Sequence, residues 1–205
     1  MTVTTGPPRP FTTTLTPTTG DIQPAGRDNA RRLSELADLF ADSSRARAMA
    51  AQEDLVIYTG STADVPEVEG EVGLATTRIE PGTVGEEFFM THGHRHSKPQ
   101  GEIYLALSGH GGLLLRRGTD VVWRGMRPGI AGHIPAGWAH RTVNIGLKPF
   151  VFVALYPRLA GHDYSPIAAE GMGARVVATR TGYRVIKDDG SELYTGALPT
   201  TPRET

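Results

Sequence analysis

The stretch from Thr91 to Gly109, THGHRHSKPQGEIYLALSG, packs three histidines into five residues and follows them with a glutamate and an apolar run. EIYLALS carries the texture of a strand. If the histidine segment is extended too, His92, His94 and His96 share one face, because the side-chain period of a strand is two. Pro99 and Gly101 interrupt the stretch between His96 and Glu102, so the glutamate can return beside the histidines. Imidazole nitrogens next to a carboxylate suit a divalent transition metal. A merely polar strand face has the same composition, and periodicity alone leaves both readings open.

Outward from this stretch, short β-type runs alternate with Gly and Pro from Leu55 onward: LVIYTG, GEVGLATTRIEPGTVG, GGLLLRRG, DVVWRGMRPG, IAGHIPAG, AHRTVNIG and FVFVALYP. Such spacing predicts an antiparallel sandwich or barrel. RDNARRLSELADLFADSSRARAMAAQE predicts a helical region, with Leu33, Leu36, Leu39 and Phe40 forming an apolar stripe. PFTTTLTPTTG reads either as a short strand or as a Thr/Pro linker. SPIAAEG reads as a helical turn, ARVVATRTGYRVIKDDG as a closing hairpin and ALPTTPRET as a frayed tail. The expected organisation is an N-terminal extension over 1–54 with a short strand and helix, a β-barrel over 55–187 and a C-terminal tail over 188–205. His110 and His133 fall in expected turns. GHGG, Gly109 to Gly112, opens no helix, so a phosphate-loop reading fails.

The totals remove several classes of function. A net charge of −1 with no block of like charge offers no electrostatic footprint for nucleic acid or a membrane surface. The chain has no cysteine, which excludes disulfides, thiolate metal sites and cysteine nucleophiles. No apolar stretch approaches the roughly 20 residues of a membrane span, and the N-terminus lacks a signal-peptide pattern. The expected location is the cytoplasm.

PGIAGHIPAGWAHRTVN matches the second cupin motif, G-x5-P-x-G-x2-H-x3-N, at Gly129, Pro135, Gly137, His140 and Asn144. HRHSKPQGEIYLALSG fits the end of the first cupin motif with His94, His96, Glu102 and Gly109, across a gap of five residues where three or four are usual. Phe88 stands where that motif has a glycine. The chain therefore resembles the cupins. The resemblance implies an all-β double-stranded β-helix (jelly-roll barrel) with a small N-terminal helical segment. It selects His94, His96, Glu102 and His140 as ligands of one divalent metal per subunit: Fe, Mn, Ni or Zn. His92 is left over as a neighbour of the site.

AHRTVNIGLKPFVFVALYPRLAGHDYSPIAAEG and ATTRIEPGTVGEEFFMTHGHRH together are similar to the cupin-type glucose-6-phosphate isomerases, from about Pro10 to about Val177. That likeness implies interconversion of glucose 6-phosphate and fructose 6-phosphate, a step of glycolysis and gluconeogenesis, by a cytoplasmic homodimer. It implies Glu102, His162 and Tyr156 as catalytic residues. Tyr58, Thr77, Thr91 and Gly93 would surround the phosphate; Tyr104, Tyr156, His162 and Tyr164 would line the sugar. Arg95 points away from His94 and His96 in a regular strand, whereas Lys98 sits in the short loop within reach. The family commonly has a lysine where His92 stands and one more residue before the glutamate. The alternatives are another sugar-phosphate cupin, such as a mannose-6-phosphate isomerase or an epimerase, and a cupin dioxygenase.

Overall fold

The computed structural model describes residues 9–198. Its centre is a barrel of two facing antiparallel sheets. The larger runs in spatial order Ala131–Ile134, Glu102–Ser108, Phe150–Pro157, Val72–Ile79, Val56–Thr62 and Arg27–Arg32; the smaller is Asp120–Met126, Gly111–Arg117 and Ala139–Asn144. From Glu102 to Pro157 the chain leaves the larger sheet for a hairpin of the smaller one, returns for Ala131–Ile134, crosses again for Ala139–Asn144 and comes back for Phe150–Pro157. Glu102–Ser108 pairs with both Ala131–Ile134 and Phe150–Pro157, and Gly111–Arg117 pairs with both Asp120–Met126 and Ala139–Asn144. That winding is the jelly roll expected from the sequence.

A third sheet, made of Glu192–Ala197, Gly182–Lys187, Ala174–Ala178, Glu87–Phe88 and Thr83–Val84, packs over the smaller barrel sheet. This explains why Leu113, Leu114 and Leu115 are all buried although neighbouring side chains face opposite ways: both faces of their sheet are covered. Trp123 meets Tyr183 across that interface, ring centroids 5.9 Å apart. At the hinge between sheets Gly109 has φ +74°, and an added Cβ would lie 2.2 Å from the Pro149 carbonyl oxygen. The motif glycine is thus fixed by backbone conformation and by close approach. Asn144 is likewise structural. Its Nδ2 donates to the carbonyls of Ile79 (2.9 Å) and Lys148 (3.0 Å), and its Oδ1 accepts from Gly146 N (2.8 Å), pinning the turn that follows.

The N-terminal region departs from expectation. RDNARR, read as the start of a helix, is the Arg27–Arg32 strand, paired antiparallel with Val56–Thr62. The apolar stripe begins only at Leu33, so nothing in those six exposed residues supplies a helical face to bury. Helix follows as Leu33–Leu36, a 3₁₀ turn Ala37–Leu39, and Ser43–Gln52, where Asp42 Oδ1 caps Arg45 N at 2.9 Å. Of PFTTTLTPTTG, Thr14–Leu15 forms a short strand with Ile22–Gln23, and Gly20 accepts a hydrogen bond from the Thr76 hydroxyl on the barrel. Ser165–Glu170 is a short helix. The Ala174–Ala178 and Gly182–Lys187 hairpin closes the fold, and Glu192–Ala197, inside the segment set apart as a tail, adds a strand to it. The rest of ALPTTPRET beyond 198 lies outside the described residues. His133 sits in the Ala131–Ile134 strand, not in a turn, whereas His110 falls between two strands as expected. Among the described residues no helix is long and apolar enough to cross a membrane.

Candidate metal centre and active site

The histidine segment is held differently from a regular strand. Gly93 takes φ +80°, which breaks strand geometry between His92 and His94. What remains is a backbone bridge on either side. His94 and His140 exchange N–H···O bonds of 3.0 and 2.9 Å, and Arg95 and Asp163 exchange bonds of 3.0 and 2.8 Å. One flank of the segment is thereby tied to the smaller barrel sheet, and the other to the loop carrying His162 and Tyr164. A Cβ on Gly93 would stand 3.0 Å from the His140 carbonyl oxygen, so the glycine also permits this close approach.

Glu102 opens a strand of the larger sheet and His140 lies in the smaller one, so the cluster spans the barrel. Glu102 Oε1 is 2.7 Å from His140 Nε2, 3.3 Å from His96 Nε2 and 4.0 Å from His94 Nε2. The ligand atoms of His94, His96 and Glu102 lie within 4.8 Å of one another. All four atoms are buried, and none has a hydrogen-bond partner. Buried polar atoms without partners are expensive, and four of them converging on one point fit a cation. His96 Nδ1 carries the hydrogen, since it bonds the Gln100 carbonyl at 2.7 Å; Nε2 therefore keeps its lone pair for the centre. Burial holds His94 well below the usual histidine range, with His140, His162, His96 and His92 adding to the effect. The neutral imidazole is the form that binds a metal.

Above the cluster opens a cavity of about 200 Å³. Every catalytic and substrate-binding residue expected from the sequence lines it: Tyr58, Thr77, Thr91, Gly93, Glu102, Tyr104, Tyr156, His162 and Tyr164. Of the expected ligands, His94 and His140 also face it, whereas His96 sits behind them, buried. His162 meets His94 edge to face with ring centroids 4.3 Å apart, and His92 meets Tyr164 at 4.8 Å. Burial, with Glu102 beside it, pushes the Tyr104 phenol well above its usual range, so it stays a hydrogen-bond donor. Thr91 Oγ1 accepts from Thr142 N at 3.0 Å, which leaves its own hydroxyl hydrogen free to donate.

Of the two cations weighed from the sequence, Lys98 departs from the reading and Arg95 follows it. Lys98 does not line the cavity, because its loop runs along the outside, with Lys98 N bonded to the Ala160 carbonyl at 3.0 Å. Arg95 does point away, into an ion pair with Asp163 of 2.8 Å. Sequence reasoning missed Asn29 and Arg31, which line the cavity from the Arg27–Arg32 strand. It also missed Arg141, a fully buried guanidinium that donates to the His92 carbonyl at 2.8 and 3.2 Å; burial lowers it to about 10.

A family model described as glucose-6-phosphate isomerase (GPI) matches residues 30–191. The glucose-6-phosphate isomerase of Thermococcus litoralis is 43% identical over 182 residues, spanning 88% of this chain and 95% of its own length. That of Pyrococcus furiosus is 42% identical over 170 residues, spanning 82% and 89%. A putative glucose-6-phosphate isomerase 2 of Rhizobium meliloti is 36% identical over 167 residues, spanning 80% and 83%.

Proposed function

The chain belongs to the glucose-6-phosphate isomerase family, and from that premise we propose that it interconverts glucose 6-phosphate and fructose 6-phosphate with one divalent cation held by His94, His96, Glu102 and His140. The observation that carries the reading is the convergence of four buried, partnerless ligand atoms on the floor of a cavity walled by hydroxyl and imidazole groups. Fe, Mn, Ni and Zn all accept three imidazoles and a carboxylate. When bound, the cation supplies a Lewis acid that lowers the cost of negative charge developing on the sugar's carbonyl oxygen.

The phosphate end goes to Tyr58, Thr77, Thr91 and Gly93, and the sugar lies along Tyr104, Tyr156, His162 and Tyr164. His162 and Tyr156 exchange protons with the ring oxygen and the hydroxyls as the sugar opens. In the aldose-to-ketose direction, Glu102 takes the C2 proton while O1 gains one from a neighbouring donor, giving a cis-enediol. Glu102 then returns its proton to C1 as O2 loses its own. Oε1 is turned to the histidines, so Oε2 is the oxygen assigned to this shuttle. The protein works as a cytoplasmic homodimer. In support, Val72, Ile103 and Leu155 stand exposed on the outer face of the larger sheet, with Leu155 directly opposite Ile103 in register.

The test is a coupled assay of fructose 6-phosphate conversion, run beside mannose 6-phosphate. Turnover of the glucose and fructose pair supports the reading, and conversion of mannose 6-phosphate alone contradicts it.

A further inference from the structure

A hexose phosphate carries close to two negative charges at neutral pH, and the donors assigned to its phosphate are hydroxyls and an amide. Among the described residues that line the cavity, Arg31 alone carries a permanent positive charge. It stands directly opposite Tyr58 in strand register, and both residues line the cavity. Nη1 donates to Glu35 Oε1 at 2.9 Å, which fixes the direction of the side chain but uses one of five N–H donors. Glu35 is itself anchored, its Oε2 accepting from Arg32 N at 2.8 Å.

Resting on the isomerase reading, we propose that Arg31 is the counter-charge of the substrate phosphate. The remaining donors form the fork that a phosphate takes up bidentately, and a charged donor is about twice as strong as the neutral hydroxyls around it. The Arg27–Arg32 strand is therefore part of the active site. The same residue sets specificity, because a sugar lacking the phosphate gains nothing from a guanidinium at that end.

Both members of the Arg31 and Glu35 pair are well exposed, 45% and 42%, so losing the pair has little effect on folding. The experiment compares Arg31→Gln, Arg31→Lys and Glu35→Gln with the wild type. It reads KM and kcat for fructose 6-phosphate, and the rise in melting temperature on adding inorganic phosphate. Arg31→Gln is expected to raise KM on the order of 10- to 100-fold with kcat changed less than about threefold, and to lose most of the phosphate-induced rise. Arg31→Lys recovers part of both. Glu35→Gln keeps or strengthens phosphate binding, since it removes a competitor for the guanidinium. Wild-type KM and phosphate response in Arg31→Gln overturn the proposal. Equal weakening in Arg31→Gln and Glu35→Gln does too, because the pair is then only structural. The phosphate response also separates this proposal from the isomerase reading: a protein with no turnover whose phosphate response needs Arg31 contradicts the reaction and leaves the anion site standing.

Discussion

Glu102 Oε1 and His140 Nε2 stand 2.7 Å apart, one on each sheet of the barrel, and each lacks a hydrogen-bond partner. The two residues are 38 positions apart in sequence. The fold brings them together because Glu102–Ser108 and Ala139–Asn144 lie on facing sheets, while His94 is bridged to His140 backbone to backbone. Removing the carboxylate charge without its volume tests the shuttle. Glu102→Gln is expected to lower kcat by about 10²- to 10⁴-fold while the protein still folds. Circular dichroism beside the coupled assay checks both parts.

His140 is almost fully buried, so its loss should be felt as lost ligation. For wild-type protein stripped by chelation, adding back a divalent metal at 100 to 1,000 times its dissociation constant should raise stability by about 3–4 kcal/mol. In His140→Ala the gain should largely disappear. Chemical denaturation with and without metal reads this directly.

Acid should destabilise the metal-free protein through His94. Its folded pKa lies below the ordinary value of about 6.5 because burial penalises the charged ring. Above that pH both folded and unfolded chains hold it neutral. Below it the unfolded chain takes up a proton that the folded chain refuses, so stability falls as the pH drops. In chelated protein the denaturant midpoint should decrease from about pH 7.5 to about pH 5, and His94→Gln should flatten that slope.

The loop bearing His162 and Tyr164 is docked mainly by backbone. The Arg95 side-chain pair with Asp163 is partly exposed, at 43% and 27%, and adds about 0–1 kcal/mol. Arg95→Ala should therefore leave KM and kcat within about threefold of wild type. A much larger fall in kcat would show that the ion pair, not the paired backbone, sets the position of His162.

The motif residues around the site were legible because they are tied to local constraints visible in one dimension. His94 and His96 flank a single residue, Gly109 takes a conformation that favours glycine, and Asn144 must satisfy three backbone groups. The β-runs were legible for a related reason, since runs such as Leu113 to Leu115 are short, apolar and bounded by turn residues. Arg31 was not legible. RDNARR has no apolar alternation, all six residues are exposed, and its strand identity comes only from pairing with Val56–Thr62. Arg141 was hidden by the opposite circumstance: it is a charge buried in the middle of AHRTVN, where sequence offers no sign of the His92 carbonyl that it meets.

The claim on which the account rests is a single cation at His94, His96, Glu102 and His140 on which turnover depends. The direct measurement is fructose 6-phosphate turnover plotted against metal bound per chain, in samples stripped to different degrees and then reconstituted. The account predicts a line that rises from near zero and reaches its plateau at one metal per chain. Full turnover at a small fraction of a metal per chain would contradict it.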